Sequence, residues 1–144
     1  MRQKQSALLP VDILILLKII AYGEQQWYQG DIAEELGISQ SEVSKSLKRS
    51  KYSGLLDYTG KHVMRMAMME LLQYGIKYVF PQKPGPIVRG IATAHAAPPL
   101  SEEILSSEAY IWPYANGDIK GQSIIPLYPS VPEAALRDSK LYEL

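Results

Sequence analysis

Between Ser39 and Lys51 the sequence places hydroxyls, a carboxamide and cations around two aliphatic residues, Val43 and Leu47. These polar side chains are Ser39, Gln40, Ser41, Ser44, Lys45, Lys48, Arg49 and Lys51. Such groups bond to base edges and phosphate oxygens, which is chemistry of binding rather than of bond breaking. Val43 and Leu47 stand four apart, so they define the buried side of a helix and leave Lys45, Lys48 and Arg49 expected on its solvent side. From Ile38 to Arg65 the bases Lys45, Lys48, Arg49, Lys51, Lys61 and Arg65 outweigh the acids Glu42 and Asp57, six against two. The whole 144-residue chain is balanced at 15 basic and 15 acidic residues, so any attraction to a polyanion has to be local.

Other chemistry finds little to build on. The chain has no cysteine, and His62 and His95 are its only imidazoles, with no partners at ligand spacing; neither a metal nor a cofactor is expected. Gly85-Pro-Ile-Val-Arg-Gly90 lacks the lysine and helix start of a phosphate loop. No nucleophile, base and orienting group stand together, so no catalysis is expected. Glu42 could accept from a cytosine amino group, but its place three residues after Ser39 favours a capping role. Met64, Met66, Met68 and Met69 read as core filling ahead of a ligand surface. Tyr110, Trp112, Tyr114 and Tyr128 fit either a groove for a partner or the small core of a C-terminal subdomain.

The elements that must position these residues follow from periodicity and punctuation. Ala7 to Ala21 is an apolar run preceded by Arg2 and Lys4, which imitates a secretory leader. Asp12 and Lys18 interrupt it, no small-x-small cleavage site follows, and it is too short to span a membrane. It reads instead as a buried first helix from Pro10 to Gly23, in a cytoplasmic protein. Asp31 to Leu36 is a short helix stopped by Gly37, and Ser39 opens a longer one that runs to about Tyr52 and ends at Gly54. A mostly apolar helix is expected from about Lys61 to Tyr74, its surface largely covered, and a short strand from Lys77 to Phe80. Gln82 to Leu100, with its prolines and glycines, reads as an irregular connector. Tyr110 to Tyr114 and Ile119 to Tyr128 read as a hairpin around Asn116-Gly117, and Ser130 opens a last helix that runs to the end of the chain. That hairpin carries one base, Lys120, and is expected to be structural.

The segment from Asp31 to Ser50 resembles the helix-turn-helix superfamily. Ala33 supplies the small residue where two helices cross, Gly37 the turn, and Ile32, Leu36, Ile38, Val43 and Leu47 the apolar positions. With the preceding helix and Gly54-Leu-Leu-Asp-Tyr58, residues Leu8 to Lys61 resemble the winged-helix core of multiple-antibiotic-resistance-type bacterial transcriptional regulators. Asp57 to His62 leaves room for only a stub of a wing. The resemblance implies sequence-specific binding of double-stranded DNA, with Ser39 to Ser50 as recognition helix, and two-fold dimers. The expected fold is mainly α within an α+β class. Residues 1–80 form a winged helix-turn-helix domain with its following helix, 81–100 the connector, and 101–144 a hairpin-containing extension that could meet a protein partner. A homodimer is also expected from the apolar surface of the first helix and the methionine-bearing helix, with the last helix as a second contact. The competing expectation is an adaptor that binds protein rather than DNA through the helix-turn-helix and the extension.

Overall fold

The computed structural model describes residues 7–104, 106 and 108–144, so Arg2 and Lys4 lie outside the described residues. The chain is of α+β class and divides into two compact units, Met1–Phe80 and Pro81–Leu144.

The first unit is built around α1 (Pro10–Tyr22). Pro10 takes a first-turn position where its missing N–H costs nothing, and the Asp12 carboxylate accepts the otherwise free Leu9 N–H at 2.8 Å. Gly23 ends the helix at a φ of 65°. Val11, Ile13, Leu14, Ile15, Leu16 and Ile19 are all buried, so α1 is the central helix of the unit and not a free interface as its apolar run suggested. Each such side chain contributes about 1.5–3 kcal/mol. Lys18 is buried with them, its ammonium 3.2 Å from Glu35 and 5.1 Å from the centre of the Tyr22 ring.

Next come α2 (Gln29–Leu36) and α3 (Gln40–Tyr52). Leu55 to Met64 then folds back on itself as a narrow loop: Leu56 bridges Val63, and Met64 N–H donates to Leu55 O at 2.8 Å. Residues 65–79 form a helical arm made of α4 (Arg65–Glu70), a π-helical turn (Leu71–Gly75) and α5 (Ile76–Val79). Two expectations fail here. Lys77 to Phe80 is not a strand, because the helix continues through the wide turn. Nor is the arm's surface covered: of its residues only Met68 is buried, while Met66 is 83% exposed.

In the second unit the stretch read as an irregular connector contains β1 (Ile87–Thr93) and a 3-10 turn (Ala94–Ala96), and α6 (Leu100–Glu103) begins at its last residue. β1 is the hub of the sheet, antiparallel to both β2 (Tyr110–Pro113) and β3 (Ile119–Ser123). β2 and β3 pair with each other in parallel, Tyr110 opposite Gln122 and Ile111 opposite Ser123, which closes a three-stranded barrel and excludes the expected hairpin. The turn itself does form, Gly117 N–H donating to Tyr114 O at 3.0 Å. Its glycine serves close approach: a β-carbon there would lie 2.2 Å from Gly90 O, and one on Gly90 would lie 1.7 Å from Trp112 O. Two strands can share β1 in so small a ring only where side chains are missing. Ile111 fills the centre, with Ala97, Ala134, Ala135 and Leu141 also buried. The last helix is broken in two, α7 (Val131–Arg137) and α8 (Ser139–Glu143), because Asp138 leaves the helical conformation and caps α8 through Leu141 N–H. Tyr142 of α8 donates to Ala92 O of β1 at 2.5 Å, and burial raises its phenol above the ordinary range.

Candidate nucleic-acid interface

α2 and α3 meet at a turn that the local sequence dictates. Gly37 sits in the left-handed region at a φ of 68°. From that geometry Gly37 N–H reaches Glu34 O at 3.3 Å and Ile38 N–H reaches Ala33 O at 3.0 Å, closing the carbonyl end of α2 as a Schellman motif. Ser39 then caps α3, its Oγ accepting from Glu42 N–H at 3.1 Å. Only this half of the anticipated capping box forms. The reciprocal kind of bond is made instead by Asp31 in α2, whose carboxylate accepts Tyr28 N–H at 3.0 Å.

α3 buries Val43, Ser46, Leu47 and Ser50. The two serines are small enough to let the helix lie close to its neighbours. Ser39, Gln40, Ser41, Lys45, Lys48 and Lys51 are exposed and Ser44 is half-buried, so these side chains share the outward part of the helix.

Arg49 does not belong with them. Its guanidinium turns inward to α1 and grips the buried Asp12 carboxylate with two bonds, Nε to Oδ2 at 2.9 Å and Nη2 to Oδ1 at 2.8 Å. The side chain is 15% exposed, and these bonds hold its guanidinium above an already high ordinary value. The expectation of Arg49 on the solvent side is therefore corrected: one position beyond Lys48, its Cβ points toward α1, and a buried carboxylate without a partner would be costly. The pair fixes the angle of α3 on α1, which makes Arg49 a positioning residue.

The loop after α3 brings in one more cation. Asp57 Oδ1 accepts the Thr59 hydroxyl at 2.7 Å and the N–H groups of Lys61 and His62 at 3.2 Å each, which shapes the turn. Thr59 chiefly, with those N–H groups and the charge of His62, holds the Asp57 carboxyl below its ordinary range against a smaller opposing effect of desolvation. Lys61 folds back over Trp27, its ammonium 4.4 Å from the ring centre and 3.2 Å from Trp27 O. A hollow of about 210 Å³ opens there, with Trp27, Ser44, Lys48, Lys51, Thr59 and Lys61 among its walls.

Three cations from two segments thus face one concavity. The sequence counted Lys61 as local charge but gave Trp27 no part; a lone tryptophan in the polar stretch Glu24 to Gln29 was the available signal. On the acidic side, Glu35 is engaged by Lys18 and by the Tyr22 hydroxyl, which ties α2 to α1. His95 lies in the other unit, its Nε2 2.7 Å from Glu108 O, and His62 is exposed. Among the described residues no group of three histidines or carboxylates could hold a metal ion, and no helix is long and apolar enough to cross a membrane. Comparison with protein-family models, with curated proteins and with solved structures finds no match to this chain.

Proposed function

We propose that the first unit is a winged helix-turn-helix that binds duplex DNA in a sequence-dependent way, as transcriptional regulators do, with α3 in the major groove. One observation carries the reading: an outward face of hydroxyl, carboxamide and ammonium groups runs the length of α3, and Lys61 extends it at the mouth of a basic hollow. Gln40, Ser41, Ser44 and Lys45 lie toward the helix N-terminus and meet base edges; Lys48, Lys51 and Lys61 meet phosphates. The loop from Asp57 to His62 is then a stub of a wing that supports α3 without reaching along the minor groove.

The adaptor reading uses the same helix-turn-helix, together with the second unit, to hold a protein partner in place of DNA. Fluorescence anisotropy with random-sequence duplexes at low and then moderate salt separates the two. Binding that weakens steeply with salt is expected, because each neutralised phosphate releases counterions. No binding at low salt would replace the DNA reading with the adaptor.

A further inference from the structure

Along residues 65–79 exposed pairs recur four residues apart, Arg65 and Met66, Met69 and Glu70, Gln73 and Tyr74, Lys77 and Tyr78, with Val79 exposed beside the last of them. A regular α-helix turns about 100° per residue, so a four-residue repeat would drift by about 40° at each step and spiral around the cylinder. The π turn at Leu71–Gly75 adds roughly one residue and takes back most of that drift. The result is a straight stripe along the arm, joining methionine and tyrosine side chains to Glu70 and Lys77. A helix of this length that buries only Met68 is marginal by itself in water, so the stripe calls for a covering surface.

We infer that the surface covering the stripe is the same stripe of a second copy, packed antiparallel about a two-fold axis between Gln73 and Tyr74. The charge order supports a copy rather than an unrelated chain. Glu70 and Lys77 are equidistant from that axis, so each meets its opposite on the partner, twice per interface. The same register sets Met69 against the partner's Tyr78, a sulfur–aromatic contact, and Gln73 against the partner's Tyr74. Lys77, whose ammonium lies 5.1 Å from the Tyr78 ring in the single chain, is within reach of both groups. This pairing narrows the expected dimer to the arm, since α1 is enclosed in its own unit. It does not rest on the DNA-binding reading.

Sedimentation equilibrium of the full chain without DNA tests the pairing, comparing wild type with Glu70→Lys, Lys77→Glu and the double reversal, each checked for native circular dichroism. The wild type is expected to be dimeric at roughly tens of micromolar. Each single reversal should weaken the dimer about tenfold by placing like charges together, and the double reversal should restore it. Because the chain has no cysteine, Tyr74→Cys supplies a unique thiol beside the axis, and mild oxidation should give a covalent dimer. A monomeric wild type, or a dimer indifferent to the reversals, would overturn the inference.

Discussion

Arg49, Lys48 and Lys45 carry the same charge on one helix, yet their environments give them different work. Lys45 and Lys48 are exposed, whereas Arg49 spends its charge on Asp12, 37 residues earlier. Breaking a buried pair from one side strands the other charge, so Arg49→Ala should lower unfolding stability by about 3 kcal/mol. Asp12→Leu with Arg49→Met, which removes both charges and keeps volume, should recover most of that loss. Urea denaturation of the three proteins checks this, and equal losses in single and double variants would contradict it. The difference also explains what could be read locally. The Ser39 cap, the Gly37 turn and the Val43–Leu47 spacing are set by neighbours within a few residues, so the sequence displays them. The Asp12–Arg49 contact depends on how two helices cross, and nothing near either residue announces it.

Among the elements, the narrow loop after α3 is held by one carboxylate. The folded Asp57 carboxyl titrates below its ordinary value of 3.8, so the turn favours the ionised form. Its contribution is complete above that value and is lost as pH falls through the lower folded one. The amide resonances of Lys61 and His62 should therefore shift together in that acidic window, and Asp57→Asn should abolish the common titration. A transition in both amides that survives the substitution would show that another group shapes the turn. Elsewhere the legible signals were turns and caps, and the illegible ones were pairings. Asn116-Gly117 does mark a turn, but strand partners are chosen by β1, whose Pro- and Gly-flanked residues read as connector. The apolar pattern from Lys61 to Tyr74 marked a helix, but the helix begins only at Arg65, and the pattern could not show that its surface would stay open in the single chain.

For the whole molecule, each unit has its own buried centre, α1 in one and Ile111 in the other. Gly90→Ala should therefore unfold residues 81–144 and leave residues 1–80 folded, because a β-carbon at that position collides with the backbone of Trp112 and has no flexible group to displace. Hydrogen exchange resolved by segment would report it; loss of protection in α1 and α3 as well would refute independent units. If the DNA reading is right, the same variant keeps its affinity for duplexes. Whether α3 and the hollow beside it face phosphate and base is read from the salt dependence of duplex binding by wild type and Lys48→Ala/Lys51→Ala. Linear loss of log affinity with log salt is expected in the wild type, and a slope flatter by about two in the variant, one for each phosphate contact removed. An unchanged affinity and an unchanged slope in a folded variant would mean that this face does not meet DNA.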